Sequence, residues 1–347
     1  MTRRFFAVLF TLIAVFAAGW LAMRRPDIPY NKLETAYASP QSDFVALSSG
    51  DKVHFRDQGP RDAPVLVLVH GFSASLHTWE PWVARLKKDY RIVSLDLPGH
   101  GLTRSTLDTV SIPGFVATID ETTAKLGIDT FTLIGSSMGG AASWAYALEH
   151  GQRLDGLVLV GASGWPRAEE EDAERPIVFQ LLDNPAARAF IKDLDLTNFI
   201  RSGLEESFAD PSHVTDDMVA RYAALSRAPG NREALLKLSA GGGDRIEATP
   251  ELMARIDVPT LVLHGTQDKL VPVNGGRLFA EHIPGADVEI YEDIGHLPQE
   301  EAAKVSAQHL KAFLDARVHV DPAPDAVESP QMVSREGDLE LARGSRP

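Results

Sequence analysis

The segment 135–139, Gly-Ser-Ser-Met-Gly, constrains the fold most strongly, because it joins a predicted strand to a predicted helix. Residues 130–134 form a short apolar, β-branched run typical of a buried strand. From Gly140 onward, small residues and helix formers dominate. A serine at such a turn adopts a strained backbone conformation and exposes its hydroxyl at the edge of the sheet, while small neighbours let nearby backbone approach closely. Ser137 is therefore a candidate nucleophile.

Apolar strands alternate with helical patterns along most of the chain. An antiparallel hairpin is predicted first, at 44–47 and 53–56. Further strands are predicted at 65–69, 91–95, 131–134, 157–160, 260–263 and 288–291, with helices at 79–88, 114–126, 138–149, 275–282 and 299–314. Continuous apolar strands separated by helices predict an α/β fold with a mainly parallel sheet, an N-terminal antiparallel hairpin and helices on both faces.

The alternation stops between residues 164 and 250. That segment is charged and helical in pattern, with helices predicted at 177–182, 186–194, 216–225 and 232–238, and we expect it to form a helical lid over the strand ends. The predicted organisation is a membrane or signal segment (1–25), a linker (26–43), an α/β core (44–163 and 251–318), the lid (164–250) and a disordered acidic tail (319–347).

The N-terminus predicts attachment to a membrane or export across one. Arg3 and Arg4 precede an uncharged run of 19 residues, 5–23, which at about 1.5 Å per residue matches a bilayer core of ~30 Å. A retained anchor is favoured over a cleavable signal peptide, for which 17–19 would be the small-residue cleavage site. The paired arginines also resemble a twin-arginine export signal. Either interpretation places the globular part of the chain outside the cytoplasm.

Charge and cysteine content exclude several classes of function. The net charge of −14 argues against nucleic-acid binding, which requires a basic surface. The absence of cysteine rules out disulfides, a thiolate nucleophile and cysteine-based metal sites within this sequence. The sequence does not decide the oligomeric state.

Two further residues could activate Ser137. A serine hydroxyl needs a base to accept its proton, and the base is usually a histidine oriented by a carboxylate. Asp268 follows the predicted strand 260–263, and His296 follows the strand 288–291, so both lie on loops at the carboxyl ends of strands. Their order along the chain, serine, acid and histidine, is that of hydrolases with this fold.

The oxyanion of an acyl-transfer reaction needs donors, and the backbone N–H groups of Phe72 and Met138 are the candidates. Phe72 lies in the loop after the strand 65–69, and Met138 follows Ser137. In contrast, His70 and His100 are interpreted as structural, and Asp96 as a residue that shapes the turn before Pro98 and Gly99.

Five motifs in this order resemble a serine α/β-hydrolase. They are His70-Gly71-Phe72, Asp96-Leu97-Pro98-Gly99-His100-Gly101, Gly135-Ser136-Ser137-Met138-Gly139-Gly140, Gly265-Thr266-Gln267-Asp268 and Gly295-His296. The resemblance extends from about residue 44 to 314. It implies a nucleophilic Ser137, a general base His296, an orienting acid Asp268, and no metal or organic cofactor. Relatives with an aspartate nucleophile are disfavoured because Ser137 holds that position.

The leading hypothesis is a carboxylic-ester hydrolase of the esterase or lipase type, acting on a small-molecule acyl ester. Phe72, Trp165 and Leu270 are candidate walls of its acyl pocket, with packing as the alternative role of Trp165. Three other functions remain open: hydrolysis of carbon–carbon bonds in ring-fission-type diketones, acyl transfer or perhydrolysis, and a non-catalytic binding role on the same fold.

Overall fold

The structure, a computed structural model, describes residues 2–166, 193–240 and 246–319. Its centre is an eight-stranded sheet in the order β1-β2-β4-β3-β5-β6-β7-β8. The strands are β1 (Ser42–Ala46), β2 (Lys52–Gln58), β3 (Val65–Val69), β4 (Arg91–Leu95), β5 (Phe131–Ser136), β6 (Leu154–Val160), β7 (Thr260–Gly265) and β8 (Asp287–Tyr291). β1 and β2 pair antiparallel, β2 pairs antiparallel with β4, and the other pairs are parallel. The predicted mainly parallel sheet with an N-terminal antiparallel hairpin is confirmed.

Helices surround this sheet. In chain order the described α-helices are α1 (Thr2–Met23), α2 (Tyr30–Tyr37), α3 (Glu80–Leu86), α4 (Ile112–Lys125), α5 (Met138–His150), α6 (Thr197–Ser207), α7 (Asp216–Leu225), α8 (Asn231–Ser239), α9 (Pro250–Met253), α10 (Val273–His282), α11 (Pro298–Glu301) and α12 (Ala303–Phe313). A 3₁₀ turn, Leu76–Trp79, precedes α3, and a π turn, Leu314–Val318, follows α12. The helix predicted at 299–314 is interrupted, because Ala302 leaves helical geometry at φ −115° and ψ 34°.

The core has two layers because successive strand residues point to opposite faces of the sheet. On β3, Val67 and Val69 belong to the layer beneath α4 and α5, whereas Leu66 and Leu68 belong to the layer beneath α3 and α12. All four side chains are buried. Burial on both faces explains why β3 reads as a continuous apolar run rather than an alternating one.

A helical insertion separates β6 from β7, and its described part contains α6, α7 and α8. Of the predicted helices, 216–225 agrees with α7, and 232–238 lies within α8. The helix predicted at 177–182 and most of that at 186–194 lie outside the described residues, as does the tail from residue 320. Helix α6 was not predicted from the sequence.

At the N-terminus, one described helix, Arg3–Met23, is long and apolar enough to cross a membrane, by length and composition. The segment that follows is more ordered than the predicted linker, because it contains α2. Leu33 of α2 is 1% exposed and packs with Leu102 of the core and Leu225 of α7.

Residues 24–37, here called the strap, are also hydrogen-bonded to the insertion. The Arg25 N–H donates to the Asp193 carbonyl oxygen at 2.7 Å, and an Arg232 guanidinium nitrogen donates to the Arg25 carbonyl oxygen at 2.7 Å. Arg24 and Arg25 form 3.1 Å ion pairs with Asp193 and Asp195. The strap therefore connects the sheet domain, the insertion and α1.

Candidate active site

Ser137 lies on the sharp turn between β5 and α5. Its φ of 53° and ψ of −119° fall in a region that side-chain-bearing residues rarely adopt. The Ser137 N–H donates to the Val160 carbonyl oxygen at 3.0 Å, which fixes the turn to the end of β6. The strand-to-helix turn predicted around this serine is present, with the predicted strain.

Glycines allow the turn to pack against the neighbouring loop. A Cβ on Gly139 would lie 2.4 Å from the carbonyl oxygens of both Val69 and His70, closer than real Cβ atoms approach. A Cβ on Gly71 would lie 3.0 Å from the Ser137 Cβ and 3.6 Å from its Oγ. The loop after β3 therefore runs directly beside Ser137, and Phe72 is the next residue in that loop.

Asp268 and His296 are in direct contact. The His296 Nδ1 lies 2.7 Å from the Asp268 Oδ2, and both residues are buried. The other carboxylate oxygen, Oδ1, accepts the N–H groups of Leu270 at 2.9 Å and Val271 at 2.8 Å. Asp268 lies just after β7 and His296 after β8, as the sequence predicted for loops at this edge of the sheet.

Electrostatics determine which ring nitrogen of His296 carries the proton. Burial alone would raise the pKa of Asp268, but the electrostatic interaction with His296 and the hydrogen bonds from His264 and His296 outweigh it, so this pKa lies below its ordinary value. An ionised carboxylate can only accept, so the His296 Nδ1 must donate. In the neutral imidazole the His296 Nε2 is then the acceptor, which is what a general base requires.

A second histidine shares the same carboxylate, and the sequence analysis did not identify it. His264 Nε2 lies 3.0 Å from the Asp268 Oδ2 and 2.9 Å from the Val271 carbonyl oxygen. His264 is fully buried at the end of β7. The sequence offers a weak indication, a histidine four residues before the acid, but this spacing alone predicts no contact outside a helix.

Ser137 and His296 both lie near the end of β6, beside Val160 and Gly161. A Cβ on Gly161 would lie 3.2 Å from the His296 Nδ1 and 3.4 Å from its Cε1. Since Val160 accepts the Ser137 N–H, both residues adjoin the end of β6.

The other predicted site residues have varied surroundings. Met138 is the first residue of α5, so its N–H is among the N-terminal donors that lack an intrahelical acceptor. The Phe72 side chain is 42% exposed, and Leu270 is partly buried beside Asp268. Trp165 packs against α10, with ring centroids 5.7 Å from Phe279 and 5.5 Å from His282. These contacts match the packing alternative for Trp165.

A second histidine–carboxylate pair, Asp96 and His54, supports the neighbouring loops. The His54 Nδ1 lies 2.7 Å from the Asp96 Oδ2, and both side chains are fully buried. Asp96 also accepts the N–H groups of Leu76 at 2.8 Å and Leu102 at 2.9 Å, which agrees with the predicted turn-shaping role. Burial would raise the pKa of Asp96, but the hydrogen bond and charge of His54 reverse the effect and hold this pKa below its ordinary value.

His70 and His100 have mainly backbone partners. His70 Nδ1 lies 2.7 Å from the Gly71 carbonyl oxygen, while its Nε2 accepts the Leu97 N–H at 3.0 Å. His100 Nδ1 lies 3.0 Å from the Pro98 carbonyl oxygen. Burial lowers the pKa of both rings, for His100 to about 3, so both stay neutral near pH 7. Within the described parts of the chain, no group of three or more histidine and carboxylate side chains is arranged to hold a metal ion.

Comparison with known proteins assigns the family. Residues 64–303 match the model of the α/β-hydrolase fold, and the chain belongs to this family. Among curated relatives, monoacylglycerol lipase abhd6-B of Xenopus laevis is 30% identical over 276 residues, covering 76% of this chain and 78% of the relative. Monoacylglycerol lipase ABHD6 of Mus musculus is 31% identical, covering 75% and 78%. A solved membrane phospholipase A, described as a bacterial virulence factor, shares the fold with a TM-score of 0.66 at 24% identity, covering 90% of this chain and 98% of that one.

Proposed function

We propose that the protein is a serine hydrolase that cleaves carboxylic esters through Ser137, His296 and Asp268. The observation that carries this proposal is the buried 2.7 Å contact between Asp268 and His296, at the edge of the sheet where the strained Ser137 turn lies. The relatives named as monoacylglycerol lipases support an ester substrate.

In the proposed acylation step, the Ser137 Oγ attacks the acyl carbonyl carbon while the His296 Nε2 accepts the hydroxyl proton. The tetrahedral intermediate then collapses, the ester C–O bond breaks, and His296 returns the proton to the leaving alcohol. Water deacylates Ser137 by the same route. Asp268 holds the histidine tautomer and stabilises the imidazolium.

The developing oxyanion is proposed to accept hydrogen bonds from the backbone N–H groups of Phe72 and Met138. Gly71, which precedes Phe72, lies beside Ser137, and Met138 follows Ser137, so both proposed donors belong to backbone adjacent to the nucleophile. Such donors each contribute about 2.7–4 kcal/mol of transition-state stabilisation.

The acyl chain is proposed to lie against Phe72 and Leu270, under the insertion acting as a lid. Monoacylglycerols are the first substrates to test, because two of the relatives described above carry that activity in their names. The proposed location is a membrane, through α1, with the catalytic domain on the extracytoplasmic side. N-terminal sequencing of the mature protein distinguishes a retained anchor, beginning near Met1, from a cleaved signal, beginning near Trp20.

A fluorophosphonate probe tests the nucleophile. We expect the parent protein to label strongly and Ser137→Ala not to label, with Ser136→Ala as a matched control that still labels. A folded parent that does not label, or equal labelling of Ser137→Ala, contradicts the proposal.

Graded substrates then test the reaction type. Hydrolysis of monoacylglycerols and p-nitrophenyl esters supports the ester assignment, and the preferred chain length separates an esterase from a lipase. Labelling without ester turnover, but with cleavage of a vinylogous diketone, favours carbon–carbon hydrolysis. Transfer of the acyl group to an alcohol or peroxide in preference to water favours acyl transfer or perhydrolysis.

A further inference from the structure

The loop that carries His296 is bonded to the end of helix α6. The His296 N–H donates to the Ser207 carbonyl oxygen at 2.8 Å. A Cβ on Gly295 would lie 2.6 Å from the same oxygen and 2.7 Å from the Ala209 nitrogen. The insertion therefore contacts the backbone of the proposed base directly.

One carboxylate joins these two segments. Glu301, the last residue of α11, accepts the Gly295 N–H at its Oε2, at 2.7 Å. The same Oε2 accepts the Ala209 N–H at 3.2 Å, and Oε1 accepts the Asp210 N–H at 2.9 Å. Three backbone N–H groups from two segments thus converge on one side chain. The interruption of the helix at Ala302 ends α11 at Glu301, and the side chain of Glu301 accepts these three hydrogen bonds.

We propose that Glu301 is a positioning residue, which holds the His296 loop against the insertion so that the imidazole keeps its working distance from Ser137. The inference rests on the proposed function and deepens it. An ionised carboxylate accepts all three N–H groups, and hydrogen bonds to a charged acceptor are stronger than neutral ones. Glutamine in this position would turn its NH₂ group toward at least one N–H, leaving donor facing donor.

Glu301→Gln tests the role with a small soluble ester such as p-nitrophenyl acetate. We expect kcat to fall about 10- to 100-fold, the scale that a displacement near 1 Å produces, with KM nearly unchanged because Glu301 does not contact substrate. Glu301→Asp keeps the charge on a shorter stem and should recover much of the loss. Glu300→Gln, one residue earlier on α11, is the matched control and should retain the parental kcat.

Amide hydrogen exchange supplies a second readout on the full chain. In Glu301→Gln we expect faster exchange at Ala209, Asp210 and Gly295 together, while amides of β5 and β6 stay protected. Should Glu301→Gln fail to fold, Glu301→Asp is measured alone, with an expected fall in kcat of about threefold and the same faster exchange.

Several outcomes would overturn the inference. One is a folded Glu301→Gln variant whose kcat equals that of the parent, and another is a Glu301→Asp variant that recovers none of the lost activity. A third is a fall in kcat equal to the fraction of the variant that fluorophosphonate does not label, because inactive protein would then account for the whole loss. If the parent does not label at all, the proposed function itself fails. If the parent labels and hydrolyses esters while Glu301→Gln equals it, only the role of Glu301 fails.

Discussion

The strained backbone conformation of Ser137 should lower the free energy of unfolding of the protein. A side chain at φ 53° and ψ −119° costs about 1–3 kcal/mol, whereas glycine adopts the region freely. We expect Ser137→Gly to be inactive but more stable than the parent by about 1 kcal/mol, after the larger unfolded-state entropy of glycine is subtracted. Urea unfolding measures the difference. Ser137→Ala keeps the Cβ and is the control, and equal free energies of unfolding for the two variants would refute the role of strain.

Glu300 predicts a dependence of stability on pH. Burial, reinforced by the charge of Glu80 and opposed by the Thr78 hydrogen bond and Arg221, raises the pKa of Glu300 to about 7. The pKa in the unfolded chain is about 4.3, so the folded state retains a proton between these values, and the parent loses stability as pH rises through that window. Glu300→Gln cannot titrate there. We expect its free energy of unfolding, relative to the parent, to be about 1–3 kcal/mol greater at pH 8 than at pH 5.

Urea unfolding at the two pH values provides the measurement. Glu281→Gln, which removes an exposed carboxylate, serves as the control for a general effect of losing a charge. A stability difference between Glu300→Gln and the parent that does not change with pH would contradict the prediction.

At the residue scale, sequence reasoning selected candidate residues that lie at one edge of the sheet, but it did not find all of their partners. Ser137, Asp268 and His296 could be proposed because each follows a predicted strand in the sequence. The contacts of His264 and Glu301 were not, because they involve a shared oxygen and backbone N–H groups from distant segments. No side-chain pattern encodes where a backbone donor will lie.

At the scale of elements, the packing of α5 against β3 depends on Gly139. An added Cβ would lie 2.4 Å from two carbonyl oxygens, and backbone atoms cannot move far enough to relieve such a clash easily. We expect Gly139→Ala to lower the free energy of unfolding by about 1–3 kcal/mol and to reduce ester turnover, because α5 carries the turn at Ser137.

Gly151→Ala is the matched control for this change. Gly151 has helical geometry at φ −52° and ψ −30°, and nothing lies within 4 Å of its added Cβ. Replacing it should leave stability unchanged or raise it by about 0.5 kcal/mol. Similar unfolding free energies for the two variants would show that Gly139 is not required for packing.

The elements that sequence reasoning found differ physically from those it missed. β3 has the predicted bounds because its uninterrupted apolar run indicates a strand buried on both faces. Helix α2 lies in a polar segment with a single fully buried side chain, Leu33, so its formation depends on tertiary contacts. The N-cap residue of helix α6 is Leu196, whose side chain cannot cap the helix. The sequence therefore lacks the usual capping residue that indicates where a helix starts.

At the scale of the whole molecule, the strap should contribute to stability. Leu33 is 1% exposed between the core residue Leu102 and Leu225 of the insertion. We expect Leu33→Ala to lower the free energy of unfolding by about 2–4 kcal/mol, the usual cost of emptying such a position. Differential scanning calorimetry of the full chain measures it. Lys32→Ala, at the adjacent exposed position, is the control, and an equal effect of both would show that the strap is not held by Leu33.

The position of the strap along the chain has a consequence for the fate of the N-terminus. Its first contacts, made by Arg24 and Arg25, begin beyond the small-residue stretch 17–19 where a signal peptidase would cut. Cleavage at that stretch would leave every one of those ion pairs in place, along with the hydrogen bond from the Asp195 N–H to the Met23 carbonyl oxygen. A shed form and a tethered form of this protein should therefore unfold alike and differ only in where they reside.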